Sequence, residues 1–179
     1  KIKSENNFSN SKKYLDSVNI EPYAIISISD QIREDILDAI NLFMENGIKF
    51  KILSGDADYA IQAVVQKIGW NIKEDEMTNG NELDKLGDNE FREYVLNKSI
   101  FARLKPEHKL KIINTLKAEK IYTAMIGDGV NDSPSLKQAD VGISVETGSD
   151  VAKDAANIIL THKSLKVIAD GIEEGRKTF

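Results

Sequence analysis

Apolar positions along the chain alternate between short runs rich in β-branched residues and stretches where they recur every three or four residues. The run Tyr23 to Ser29 predicts a strand ending at Asp30, and Ile32, Ile36, Ile40 and Phe43 then predict a helix that stops at Gly47. The unit recurs: Phe50 to Leu53 reads as a buried strand and Tyr59 to Ile68 as an amphipathic helix capped by Gly69. Past Asn71 the periodicity weakens, and Asn71 to Lys98 reads as a surface insertion rich in Lys, Glu, Asp, Asn and Gly. Order returns with a strand at Ile100 to Ala102, a helix from Pro106 to Glu119 and a strand at Tyr122 to Ile126. Ser133 offers an N-cap before Pro134, and Val141 to Val145 and Ile158 to Leu160 supply two last strands. Residues 1–22 are polar and read as a disordered or linker-like end, leaving 23–179 as one folded portion.

Strands apolar on both faces and separated by helices imply an α/β fold, a mainly parallel sheet covered on both sides with right-handed crossovers. Ligands in such sheets bind beyond the carboxyl ends of the strands. Polar residues cluster there: Ser54, Gly55 and Asp56 follow one strand, and Gly127, Asp128, Gly129, Asn131 and Asp132 follow another. Lys109, near the start of the helix after Arg103-Leu104-Lys105-Pro106, brings a cation toward the same rim.

Composition narrows the chemistry of that rim. With no Cys and two His, His108 and His162, a thiolate or structural zinc site is excluded. Converging carboxylates raise one another's pKa unless a cation neutralises them, and a hard, oxygen-seeking ion such as Mg²⁺ fits this donor set. A magnesium and phosphate site follows: Ser54 hydroxyl and Gly55 N–H donate to a phosphoryl oxygen, Lys109 neutralises it, Asp128 ligates the metal, and Asp132 with Asn131 holds the loop and the metal's waters. His108 reads as an exposed neighbour. The net charge of −5 argues against a nucleic-acid partner, and no apolar run approaches the roughly 20 residues of a membrane-spanning helix.

Ser54-Gly55-Asp56, the stretch Phe101-Ala102-Arg103-Leu104-Lys105-Pro106-Glu107-His108-Lys109 and the stretch from Met125 through Gly127-Asp128-Gly129-Val130-Asn131-Asp132 to Pro134 resemble the second, third and fourth motifs of P-type ATPase phosphorylation domains. Those domains belong to the haloacid dehalogenase superfamily. The resemblance extends through Asp30-Gln31-Ile32-Arg33, Ala139 to Val145 and Gly171 to Arg176. It implies a Rossmann-like three-layer sandwich, and a parent that is an ATP-driven cation pump forming and hydrolysing a Mg²⁺-dependent aspartyl-phosphate.

The resemblance further implies Ser54, Gly55, Asp56, Lys109, Asn131 and Asp132 as catalytic residues. Ser54, Gly55 and Lys109 would be the contacts to the bound group, and Asp128 and Asp132 the metal ligands. The implied cofactors are Mg²⁺ and ATP. The implied partners are a nucleotide-binding domain and membrane domains of the same parent, with a small cation as cargo and this portion at the cytoplasmic face of the membrane. The helix through Gly171 to Phe179 resembles the stalk leading to a membrane helix.

The nucleophile of that family is the first Asp of Asp-Lys-Thr-Gly, and these 179 residues contain no such stretch. Asp56-Ala57-Asp58 imitates a nucleophile motif but sits two residues too late after its strand. Asp30 follows a strand directly but lacks a companion acid or hydroxyl. The chain therefore reads as a phosphorylation-domain fragment, inactive in isolation. The two other readings are a free-standing regulatory or binding module without a nucleophile, and a soluble haloacid dehalogenase-like phosphatase. Ile126 stands where the family usually has Thr, and Ala57 and Ala60 replace an Asn and a Thr, so fewer hydroxyls surround the site.

Overall fold

The computed structural model describes residues 23–24, 35–162 and 164–178. The strand expected over Tyr23 to Ser29, Asp30 after it, and the polar end 1–22 fall largely or wholly outside them. The chain divides into two compact units, 1–31 and 32–179, and every element below lies in the second.

That unit is α/β. In chain order it comprises α1 (Ile36–Glu45), β1 (Ile52–Leu53), α2 (Asp58–Ile68), a 3₁₀ turn (Glu74–Glu76), β2 (Met77–Asn79), α3 (Gly80–Leu83), α4 (Asp88–Asn97) and β3 (Ile100–Ala102). It continues with α5 (Pro106–Ala118), β4 (Ala124–Ile126), a 3₁₀ turn (Val130–Asp132), α6 (Ser133–Gln138), β5 (Val141–Val145), α7 (Asp150–Ala155), β6 (Ile158–Leu160) and α8 (Lys166–Thr178). The helix and strand periods read from the sequence coincide with these elements closely. Gly69 ends α2 in the left-handed conformation, φ +75°, where a side chain would be strained.

The strands form two three-stranded parallel sheets, ordered β1-β3-β2 and β4-β5-β6. β3 is the centre of the first, with Ile52 and Met77 both registered on Ile100, and β5 is the centre of the second. Central strands are buried on both faces: Ile100, Phe101 and Ala102 are all at most 1% exposed. Helix α5 serves both sheets, because Ile112 and Leu116 enter the cluster of Phe91, Val95 and Phe101 while Ile113 enters that of Met125, Leu136 and Ala152. Leu53 on β1 packs against both clusters. Among the described residues β1 pairs with β3 alone and β4 with β5 alone, so within these residues each is an edge strand of its sheet.

Two expectations need correction. The stretch 71–98, expected as a surface insertion, supplies the strand β2 and the helices α3 and α4, and it buries Thr78, Leu83, Phe91 and Val95. Its apolar residues are few and widely spaced, so its amphipathic signal is weak, yet each is placed where it meets β3 and α5. Ser133 is not the N-cap of α6. The 3₁₀ turn at Val130–Asp132 runs directly into the helix, Ser133 is already helical at φ −54° and ψ −42°, and its buried hydroxyl has no hydrogen-bond partner among the described residues.

Lys51, just before β1, donates from Nζ to the carbonyl of Lys98 beside β3. Burial, with Lys49 adding repulsion and Glu76 partly opposing, lowers its pKa to about 8. Between pH 8 and the ordinary value of 10.5 the unfolded chain keeps a proton that the folded chain has released, so folding stability rises with pH across that window. Urea unfolding at pH 7.5 and pH 10 is expected to show the wild type gaining stability relative to Lys51→Met at the higher pH. As a test of 71–98 as core, Phe91→Ala is expected to cost about 3–5 kcal/mol by the same method, against a few tenths for a surface insertion.

Candidate functional site

The residues singled out by sequence stand where three loops leave the carboxyl ends of β1, β3 and β4. Ser54, at the end of β1, receives the Leu104 N–H on its carbonyl and donates its own N–H to Phe101, which laces the first loop to the segment after β3. Its hydroxyl donates to Asp56 Oδ2 at 2.9 Å and accepts the Asp56 N–H at 3.1 Å, a tight local turn. Gly55 and Asp56 are exposed. Ala57, not Asp56, occupies the N-cap position of α2.

The segment after β3 turns through Lys105 in an extended conformation, which suits the residue before Pro106, and Pro106 opens α5. One turn on, Lys109 Nζ reaches Asp132 Oδ1 at 2.6 Å, and both side chains are nearly buried, at 13% and 12% exposure. This pair ties the loop after β4 to the helix after β3. It is a charge-assisted hydrogen bond in a largely water-free setting, where each charge depends on the other.

The loop after β4 owes its shape to Gly127. A Cβ there would lie 2.7 Å from Asp132 Cβ and 3.1 Å from its carboxyl, so any side chain would push Asp132 off Lys109. Gly127 N–H donates to Ile143 and Asp128 accepts the Ser149 N–H, which anchors the loop to β5 and to the start of α7. Asp128 and Asn131 are exposed on that loop, whereas Asp132 is buried. Ser54, Lys109, Asp128 and Asp132 therefore share the strand-end side of the fold, with the direct contact falling between Lys109 and Asp132.

Two expectations change here. Among the described residues no three His, Cys, Asp or Glu side chains gather as a metal-ligating group, so the convergence of three carboxylates does not form. Asp56 instead folds back on Ser54. Mg²⁺ needs only one or two carboxylates and completes its octahedron with water and phosphate oxygens. Asp128 and Asp132 on their glycine-flanked loop fit that requirement.

His108 is the second change. Expected as an exposed neighbour, it is 7% exposed and hydrogen-bonded at both ring nitrogens, to the Lys105 N–H and to Asp84. Sequence reasoning missed Asp84, which lies in the stretch read as an insertion. The available signal was the position of His108, third in a helix that opens at Pro106, where a side-chain acceptor can reach back to the residue before the helix.

A haloacid dehalogenase-like hydrolase family model matches residues 4–140, more than half of the chain. The chain belongs to that family. It is 38% identical over 154 residues, 86% of this chain and 17% of the relative, to the P-type 1 magnesium-transporting ATPase of Escherichia coli K12. It is 39% identical over 158 residues, 87% of this chain and 18% of the relative, to calcium-transporting ATPase 1 of Bacillus cereus. Among solved structures, a zinc-transporting PIB-type ATPase in an E2.Pi state matches 83% of this chain and 20% of its own at 31% identity, with a TM-score of 0.63. The haloacid dehalogenase-like chain thus spans less than a fifth of the length of these two curated relatives. The α/β fold with parallel strands expected from the strand and helix pattern, and the Rossmann-like form implied by the resemblance, are the ones found.

Removing Lys109 alone leaves the Asp132 carboxylate buried without a counter-ion. Lys109→Met is expected to cost about 3–5 kcal/mol in urea unfolding at pH 7, and Lys109→Met with Asp132→Asn to recover part of that loss because the stranded charge is gone.

Proposed function

We propose that this chain is the metal- and phosphate-handling portion of the phosphorylation domain of an ATP-driven cation pump, placed at the cytoplasmic face of the membrane in its parent. The observation that carries the reading is the nearly buried Lys109–Asp132 pair, which joins the helix after β3 to the loop after β4 at the side of the fold where parallel sheets bind ligands.

In this reading Ser54 and Gly55 donate hydrogen bonds to phosphoryl oxygens, and Asp56 orients the Ser54 hydroxyl through the bond it already accepts. Lys109 neutralises charge on the phosphoryl group while staying anchored by Asp132. Asp128 and Asp132 hold Mg²⁺, and Asn131 beside them holds its waters. Bound Mg²⁺ supplies charge neutralisation on the phosphoryl oxygens. Every one of these groups positions or neutralises; none attacks phosphorus, in keeping with a chemistry that asks the protein mainly for placement and electrostatics.

The attacking carboxylate belongs to a segment outside these 179 residues, which hold no Asp-Lys-Thr-Gly. The edge strands β1 and β4, with Leu53 touching the clusters of both sheets, are suited to flank such a segment as a further parallel strand. Nucleotide-binding and membrane portions of the parent complete the pump, and the cargo is a small cation. Magnesium, calcium and zinc each appear among the names of the similar pumps, which fits a site common to several cargoes. Cargo choice then rests on polar residues within the membrane.

Titrating ¹⁵N-labelled chain with Mg²⁺ and inorganic phosphate is expected to shift the amides of residues 127–132 and 54–55. Asp128→Asn should abolish the Mg²⁺ response and Lys109→Met the phosphate response. Incubation with γ-labelled ATP should leave no acid-stable label on the chain, and recovering label would overturn the assignment of the nucleophile to another segment.

A further inference from the structure

His108 and Asp84 lie outside every role assigned so far, yet they sit one residue and one hydrogen bond from Lys109. The N–H of Lys105, one of the donors that a helix start leaves unpaired, points at His108 Nδ1 at 3.2 Å. A backbone amide can only donate, so Nδ1 carries no proton. Nε2 lies 2.7 Å from Asp84 Oδ1, and Asp84 Oδ2 accepts from Lys105 Nζ at 3.1 Å. Hydrogen bonds from His108 first and Lys105 second hold the Asp84 carboxyl below the usual range, so it is ionised at neutral pH and Nε2–H donates to it.

The ring has no room to leave. A Cβ on Gly80 would stand 2.9 Å from ring Cε1 and Nδ1, and 2.5 Å from the Arg103 carbonyl, so α3 is pressed against the imidazole at a residue without a side chain. Helix α3 and the first turn of α5 are thus joined by one buried ring with a single allowed tautomer.

We infer that His108 is a positioning residue: held as the Nε2–H tautomer by Asp84, it caps the first turn of α5 and so sets the reach of Lys109 to Asp132. The inference rests on the reading of Lys109 as the cation that meets phosphate, and it adds α3 to the elements on which that cation depends. The geometry favours this over a purely structural ring, because the same side chain that fills the slot also satisfies the helix start immediately before Lys109.

Ring ¹⁵N spectra of the 179-residue chain at pH 7 are expected to show His108 with Nδ1 bare and Nε2 protonated. His108→Leu, similar in bulk but without an acceptor, should raise Lys105 amide exchange at least tenfold and abolish the slowly exchanging ammonium signal of Lys109. His108→Gln should restore both, because a Gln at the third helical position accepts from the same N–H. An Nδ1–H tautomer, or a folded His108→Leu chain with the Lys109 signal intact, would overturn the inference. Should the Leu variant not fold, Asp84→Ala decides: it is expected to admit the Nδ1–H tautomer and weaken the Lys109 signal, and an unchanged ring and ammonium refute the coupling. None of these readouts uses Mg²⁺ or phosphate, so a wild-type chain blind to both ligands defeats the functional reading while leaving the test of His108 intact.

Discussion

The strand-end rim depends on one buried ion pair. Lys109 comes from the helix after β3 and Asp132 from the loop after β4, strands of different sheets, and neither charge would be tolerated at that depth alone. The pair can form because Gly127 leaves space for the Asp132 carboxyl and because α5, anchored in both hydrophobic clusters, brings its first turn to the right place. Apolar packing therefore sets the position of the charge, and the charge in turn fixes the loop after β4. Such a site is organised before any ligand arrives, which is what electrostatic stabilisation of a phosphoryl group requires.

Much of this was legible in the sequence because it rests on local periodicity. Strand β3 and strands β5 and β6 were expected at the residues where they occur, since short apolar runs bounded by turn residues have no helical alternative of that length. The loop residues Ser54, Lys109, Asp128 and Asp132 were legible because strand-end loops concentrate function and their residue types suit phosphate chemistry. What was not legible was long-range. Phe91 and Val95 lie within a polar-looking stretch, and nothing local reveals that β3 and α5 wait to receive them. Asp84 and His108 are 24 residues apart, and neither neighbourhood predicts their meeting. The expected three-carboxylate cluster does not form among the described residues, where the Asp56 carboxyl instead accepts from the Ser54 hydroxyl in its own turn.

The two sheets also separate stability from chemistry. Each has a strand at its centre that is nearly inaccessible, and each offers an edge, at β1 and at β4, from which a site loop departs. Edge strands carry unpaired backbone donors and acceptors, and a protein normally blunts or covers them. Here the edges carry apolar residues, Ile52 and Leu53 on one and Met125 and Ile126 on the other, in place of the lysines or prolines that discourage pairing.

Lys109 and Asp132 are held by a nearly buried contact within this chain. Rigidity propagates further than the site itself, since α3 presses on His108, His108 satisfies the start of α5, and α5 carries Lys109. A change in α3 would therefore be felt at Asp132 through the lysine's position rather than through any new contact. The stretch with the weakest periodicity thus stands one ring away from the Lys109–Asp132 pair.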